Sequence, residues 1–269
     1  MLTGTMVPAA DVPFARDCLV EGDQMPFPDR ATAGRALAKV IAERGPADAS
    51  VVAVPRGGVP VGLEVARELG VPLDVVVVGK LRAPGRSDFA VGALGEDGTC
   101  VVSEILTSIL GIGTSELAYL KSGAREDLAS RALRIRWRFP ALPVEDRTVV
   151  VVDDGLVTGA TAVVAARIIR AQGASKIVVA VPSATPDGVQ SVGAEVEDVI
   201  ALEELDPSRV SGMCFGPGAP DDDEVMRLLE LGRSSGPPPG RSQDLDRLPL
   251  DHRPAAAPHG ARAPGRRVG

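Results

Sequence analysis

A run of four valines that ends in two carboxylates constrains the fold of this chain more than any other feature of its 269 residues. An unbroken run of valine, here at 149–152, is typical of a strand buried on both faces of a parallel sheet. Asp153 and Asp154 follow, then a short loop at 155–161, then an apolar stretch at 162–171 that favours a helix. The segment therefore predicts a strand, a tight loop and a helix at the edge of an α/β sheet.

The loop after the two carboxylates has the chemistry of an anion site. Unpaired N–H groups and the positive end of the dipole favour an anion at a helix N-terminus, and hydroxyl groups can add donors. A carboxylate would repel a phosphate, whereas it accepts two hydrogen bonds from a vicinal diol. The segment therefore predicts a sugar phosphate, with its phosphate in the loop and its diol on the acids. The loop residues are Gly155, Leu156, Val157, Thr158, Gly159, Ala160 and Thr161.

A second candidate anion loop follows a short predicted strand at 51–54. It contains Arg56, Gly57 and Gly58. Glycines let backbone N–H groups approach a ligand closely, and a guanidinium offers a fork of donors that suits a phosphate. By itself the triplet also fits an ordinary tight turn. Its place at the end of a neighbouring strand favours the phosphate interpretation.

A third strand, predicted at 73–78, leads into a polar loop from Lys80 to Asp88 that also carries Arg82 and Arg86. Ligands of open parallel sheets bind outside the carboxyl ends of the strands, so these cations lie where an anionic ligand would need them. A solvated loop is the alternative, above all for Arg82 and Arg86. Lys80 is better placed, because it comes directly after the predicted strand.

Two of these segments resemble the type I phosphoribosyltransferases, and a group of small bacterial members in particular. They read Pro-Arg-Gly-Gly-Val-Pro-Val at 55–61 and Val-Asp-Asp-Gly-Leu-Val-Thr-Gly-Ala-Thr at 152–161. The resemblance covers roughly residues 25–231. It implies a three-layer α/β/α fold with a mainly parallel central sheet and a small hood. It also implies that the substrate is 5-phosphoribosyl 1-pyrophosphate (PRPP).

The resemblance also assigns roles to the predicted site. Asp153 and Asp154 would hold the ribose, the loop at 155–161 the 5′-phosphate, and the loop of Arg56, Gly57 and Gly58 the pyrophosphate. In this family the residue pair corresponding to Pro55–Arg56 is often joined by a cis peptide bond. The cofactor would be Mg²⁺, bound mainly through substrate oxygens and water near the acidic pair.

The implied reaction moves the 5-phosphoribosyl group from PRPP to a nitrogen acceptor and releases pyrophosphate. Arg56 and Lys80 would act as catalytic residues that stabilise the charge of the leaving group. Arg82 and Arg86 would lie in a mobile loop that closes over the site and excludes water.

The acceptor is left open by the sequence. Purine salvage enzymes carry an acidic residue just before the first threonine of the motif, where this chain has Val157, so hypoxanthine and guanine are disfavoured. The segment expected to cover the acceptor, 206–220, has Phe215 as its one aromatic residue. A non-catalytic module that senses PRPP or a nucleotide on the same fold is the main alternative. A phosphoryl-accepting receiver domain is disfavoured, because the acidic pair comes late in the chain.

Composition bounds the class of protein. A net charge of −7 argues against a general nucleic-acid binder, and no apolar run reaches the ~18 residues of a membrane span. The first 20 residues do not have the pattern of a signal peptide. Three widely spaced cysteines form no disulfide framework, which predicts a cytoplasmic protein. The sequence leaves a homodimer open.

The chain divides into three parts. Residues 1–24 are predicted to be a loose extension, 25–231 the phosphoribosyltransferase-like domain, and 232–269 a disordered tail rich in proline and arginine. Both histidines, His252 and His259, lie in that tail, so catalysis in the folded body is predicted to use carboxylates, Lys, Arg and backbone dipoles. Further strands are predicted at 91–94, 99–103, 176–181 and 196–202, and further helices at 59–69, 104–110, 115–138, 186–193 and 221–231.

Overall fold

The computed structural model describes residues 27–45, 49–206, 215 and 218–234. The described residues belong to one compact unit. The predictions for 1–24 and for 235–269 therefore stay predictions. The helices of the described part are α1 Arg30–Glu43, α2 Gly58–Leu69, α3 Glu104–Ile109, α4 Thr114–Arg138, α5 Ala160–Ala171, α6 Pro186–Gly193 and α7 Asp222–Arg233. Its strands are β1 Ser50–Ala53, β2 Leu73–Val75, β3 Val78–Ala83, β4 Arg86–Gly95, β5 Cys100–Val102, β6 Thr148–Val152, β7 Lys176–Ala184 and β8 Asp198–Glu204.

Five strands form a central sheet in the order β2-β1-β6-β7-β8, and each pairs with its neighbours in parallel. The fold is thus α/β with a parallel central sheet and helices on both faces, as predicted. β6, the strand of the four valines, lies in the middle. All carboxyl ends meet at one edge of the sheet, and this edge carries the two predicted anion loops.

The two faces of the sheet pack in separate hydrophobic clusters. Val150 and Val152 of β6 join the cluster that contains residues of α1, α2, α4 and α7. Val149 and Val151 join the cluster that contains residues of α5 and α6. All four valines are fully buried, because successive side chains of a strand point to opposite faces and both faces are covered.

The predicted strand at 73–78 and the predicted loop at 80–88 were wrong in part. β2 ends at Val75, and the chain then enters a separate antiparallel sheet of order β3-β4-β5. What was predicted as a polar loop is a β-hairpin that turns at Pro84 and Gly85, where Gly85 has a φ of 68°. The sequence contains the reason: buried Leu81 and Ala83 alternate with exposed Lys80 and Arg82, which is the period of a half-buried strand.

A buried aspartate connects β2 to α4 and α7. Asp74 is 4% exposed, and its Oδ1 accepts hydrogen bonds from Arg136 at 3.2 Å and from Arg233 at 2.7 Å. Its Oδ2 accepts from the backbone N–H of Leu142 at 2.6 Å. α7 runs to Arg233, two residues beyond its predicted end, because this ion pair and a close packing of Gly232 on Leu73 hold its last turn.

None of the helices in the described ranges combines the length and the apolar character that crossing a membrane requires.

Candidate functional site

The acidic pair lies at the carboxyl end of the central strand β6. Asp153 is 7% exposed, and the side chain of Asp154 is 29% exposed. The backbone N–H of Asp154 donates to Asp153 Oδ1 at 2.8 Å, and the Thr161 hydroxyl donates to Asp153 Oδ2 at 3.4 Å. The first carboxyl is therefore held inside the protein, while the second reaches toward the surface.

The two carboxyls differ in their electrostatic surroundings. Burial raises the pKa of Asp153 well above its usual range, and the neighbouring charge of Asp154 raises it further. The N–H of Asp154 and the charge of Lys80 act in the opposite direction without cancelling the rise. A ligand that donates hydrogen bonds here would therefore meet one buried carboxyl with a raised pKa and one carboxyl that is more exposed.

Backbone pairing with the end of β7 fixes the loop after the acidic pair. The N–H of Leu156 donates to the Ser183 carbonyl at 3.0 Å, and the N–H of Thr185 donates to the Leu156 carbonyl at 2.9 Å. The Thr185 hydroxyl donates to the Val157 carbonyl at 2.6 Å. Leu156 is therefore a buried anchor of the loop, which its place in a polar motif does not reveal.

The remainder of the loop leads into α5. Gly159 precedes the helix with a φ of 74°, and a side chain there would lie 2.8 Å from Val192 and 3.0 Å from the Gly188 carbonyl. Val157 and Thr158 are exposed, and Ala160 and Thr161 begin the helix. The loop thus combines a glycine turn, an accessible hydroxyl and a helix N-terminus, which are features that suit an anion.

The second anion loop touches the acidic pair directly. The Pro55–Arg56 peptide bond is cis, which confirms the prediction. A Cβ added to Gly57 would overlap the carboxylate of Asp154, and one added to Gly58 would lie 2.6 Å from the Val152 carbonyl. Both glycines are therefore required by close contact with the end of β6, rather than by a turn alone.

The three basic residues of the predicted mobile loop lie on the β3-β4 hairpin. Lys80 is exposed on β3, close enough to the acidic pair for its charge to lower the pKa of Asp153. Arg82 is exposed two residues further along the same strand, and Arg86 begins β4. The structure therefore brings Lys80 to the site, and it places Arg82 and Arg86 beside the hairpin turn at Pro84–Gly85 instead of in a loop.

One charged residue of the site was missed by the sequence analysis. Arg30, the first residue of α1, donates from Nε and Nη2 to Asp154 Oδ2 at 3.0 and 2.8 Å. Asp29 before it caps the helix by accepting from the N–H of Thr32. That capping pattern predicts a helix start, but no local pattern relates Arg30 to a carboxylate 124 positions away.

No group of three or more His, Cys, Asp or Glu side chains able to hold a metal ion occurs among the described residues. Two adjacent carboxylates beside a candidate phosphate loop are residues that could take part in holding an ion such as Mg²⁺, which binds through one or two carboxylates together with substrate phosphates and water.

Parallel strands with helices on both faces, and polar loops at their carboxyl ends, define an α/β protein of the class that binds ligands at that edge. Residues 28–212 match the family model described as "Phosphoribosyl transferase domain", and the chain belongs to this family.

Relatives and solved structures agree with this assignment. Two strains of Mycobacterium tuberculosis have a protein named "Putative phosphoribosyl transferase" that is 39% identical over 211 residues. The match covers 76% of this chain and 46% of each mycobacterial protein, so the chain spans about half the length of these relatives. The crystal structure of the protein TT1426 from Thermus thermophilus is 38% identical, with a TM-score of 0.60 over 76% of this chain and 97% of that one.

Proposed function

We propose that the chain transfers the 5-phosphoribosyl group of PRPP to a nitrogen acceptor and releases pyrophosphate. The observation that carries the proposal is the contact between the second candidate loop and the acidic pair, in which Gly57 leaves no room for a side chain against Asp154. PRPP has a 5′-phosphate at one end of its ribose and a pyrophosphate on C1. Two phosphate-binding loops on either side of a pair of carboxylates match that arrangement.

Each part of PRPP has a candidate partner. Thr158, Thr161 and the N–H groups at the start of α5 would bind the 5′-phosphate. Asp153 and Asp154 would accept hydrogen bonds from the ribose hydroxyls. The loop of Arg56, Gly57 and Gly58 would bind the pyrophosphate through backbone N–H groups and a guanidinium.

The reaction needs charge stabilisation more than a strong base. The C1–O bond breaks and its electron pair leaves with the pyrophosphate, while the nitrogen lone pair of the acceptor forms the new C1–N bond and the nitrogen then loses its proton. Arg56 and Lys80 would stabilise the negative charge that develops on the leaving group. Val157 is exposed and offers no base, which favours an acceptor other than hypoxanthine or guanine.

Mg²⁺ would be held mainly by substrate oxygens and water, near Asp153 and Asp154, and would supply positive charge that stabilises the leaving pyrophosphate.

An acceptor screen with PRPP and Mg²⁺, in which released pyrophosphate is measured, tests the proposal. The full chain is incubated with a panel of purine, pyrimidine and simpler nitrogenous acceptors. Asp154→Asn is the matched control, because it keeps the shape of the side chain and removes its charge. Acceptor-dependent release that this variant lacks would support a transferase. Tight PRPP binding without release on any acceptor would instead support the sensing module.

A further inference from the structure

Arg30 contacts two parts of the molecule that are far apart in sequence. On one side it forms the ion pair with Asp154, and its own side chain is 14% exposed. On the other side its Nη1 donates to the Gly218 carbonyl at 3.2 Å. Its guanidinium carbon lies 4.8 Å from the centroid of the Phe215 ring, which is 3% exposed. A single side chain therefore joins the acidic pair to the segment that leads into α7.

We propose that Arg30 is a positioning residue for the phosphoribosyl reaction: it fixes the carboxylate of Asp154 for the ribose and fastens Phe215 and Gly218 to it. This inference rests on the proposed function.

The direction of the hydrogen bonds supports a positioning role. The two Arg30 donors that contact Asp154, Nε and Nη2, go to the same oxygen, Oδ2, so Oδ1 stays outside the ion pair. Oδ2 is also the atom that a side chain on Gly57 would overlap most closely. That oxygen is therefore held between α1 and the predicted pyrophosphate loop. Because the Asp154 side chain is already held, ligand binding does not have to stop its rotation, which is the usual benefit of preorganisation.

Charge gives Arg30 a second effect on the same carboxylate. Asp153 and Asp154 are adjacent, and a bound PRPP would bring several further negative charges. The guanidinium is permanently charged and offers a planar fork of donors, so it offsets the charge of Asp154 whatever the pH. Without it, Asp154 would repel both its neighbour and the ligand.

The contacts with Phe215 and Gly218 extend the role beyond Asp154. A cation over an aromatic face and a hydrogen bond to a carbonyl hold the guanidinium from the opposite side. The sequence predicted that 206–220 covers the acceptor, and Phe215 and Gly218 are described parts of that segment. Arg30 thus gives the proposed ribose carboxylate and these two residues a common anchor.

Calorimetry with ribose 5-phosphate tests the first half of the inference. Arg30→Met is expected to weaken binding about ten-fold or more, because it removes two hydrogen bonds to a charged group. Arg30→Lys keeps the charge without the fork and should recover part of the loss. Arg35→Met is the matched control on the same helix, since Arg35 pairs with Thr32 and Glu64 and has a side chain 56% exposed. It should bind like the wild type.

A double-mutant cycle separates positioning from a merely structural role. If Arg30 acts through Asp154, Arg30→Met should cost little further affinity in the Asp154→Asn background. A loss of equal size in both backgrounds would overturn the inference. Amide exchange at 218–221 tests the second half: it should be faster in Arg30→Met than in Arg35→Met, and equal rates would overturn that half.

The two proposals fail differently. If the wild type binds ribose 5-phosphate and Arg30→Met binds it equally well, the inference about Arg30 is wrong and the proposed function stands. If the wild type binds neither ribose 5-phosphate nor PRPP, the proposed function is wrong, and the role of Arg30 is wrong with it.

Discussion

At the end of β6, two neighbouring carboxyls of the same chemistry have different environments. Asp153 is buried under the start of α5, and Asp154 extends to a guanidinium on α1. Burying a carboxylate costs free energy unless the group is protonated or paired. The site thus contains one carboxyl that the fold disfavours in its charged form and one that an arginine holds. Such a cost in folding stability is common at positions where ligand binding, rather than stability, has selected the residue.

Asp153→Asn is expected to stabilise the protein at neutral pH and to weaken ribose binding. Because the pKa of Asp153 is raised in the folded state, the folded protein binds this proton more tightly than the unfolded chain does. The stability that this proton contributes is complete below the unfolded value of 3.8 and is lost as the pH rises through the raised value. Asparagine does not ionise and should escape that loss.

Thermal unfolding of both proteins at pH 4 and pH 8 measures this effect. The variant should gain in melting temperature over the wild type at pH 8 and gain less at pH 4. An equal difference at both pH values would contradict the assigned shift.

Gly57→Ala is expected to impair binding far more than folding. The added methyl group would overlap the carboxylate of Asp154 and displace it, so affinity for ribose 5-phosphate should fall about ten-fold or more. Gly113→Ala is the control, because a Cβ there meets nothing within 4 Å. Binding by calorimetry and melting temperature are compared, and a Gly57→Ala protein with unchanged affinity would refute the role of the contact between this loop and the acidic pair.

At the residue scale, the sequence could predict those site residues that lie close to one another along the chain. Asp153, Asp154 and Thr158 fall within one short motif, so their types and spacing suffice to propose a site. Arg30 belongs to the same site but reaches it across the fold. Leu156 is part of the motif, yet its buried position depends on pairing with β7.

At the element scale, the hairpin of β3 and β4 shows how polar residues can mislead. Lys80 and Arg82 with a Pro-Gly pair are typical of a loop. The segment is a strand instead, because Leu81 and Ala83 alternate with these residues and their buried side chains join the core beneath α4. The arginines of α4 mislead similarly: charges along a long helix are typical of a solvated face, whereas Arg136 pairs with buried Asp74.

Asp74→Ala is expected to lower the free energy of unfolding by about 3–5 kcal/mol, because it leaves Arg136 and Arg233 without their buried partner. Asp223→Ala is the matched control on α7. Asp223 pairs with Arg134 at the surface with 83% of its side chain exposed, so its loss should cost about 1 kcal/mol or less. Denaturant unfolding measures both variants, and equal losses would contradict the structural role of Asp74.

At the scale of the whole molecule, the order of strands places the site. The runs of valine predict parallel strands buried on both faces, and parallel strands bring their carboxyl ends to one edge. That reasoning was enough to predict the α/β fold and the placement of both candidate anion loops at that edge. It could not predict the antiparallel sheet of β3, β4 and β5, because that sheet depends on how β3 leaves the edge of the central sheet.

The separation of the two anion loops is the most direct test of the account. Calorimetry with PRPP and with ribose 5-phosphate is carried out on the wild type, Arg56→Ala and Thr158→Val. Thr158→Val should weaken the binding of both ligands by ~1–3 kcal/mol, since both have the 5′-phosphate. Arg56→Ala should weaken the binding of PRPP alone and leave the binding of ribose 5-phosphate nearly unchanged. If Arg56→Ala weakened both ligands equally, or if the wild type bound PRPP no better than free sulfate, the assignment of these loops to PRPP would be wrong.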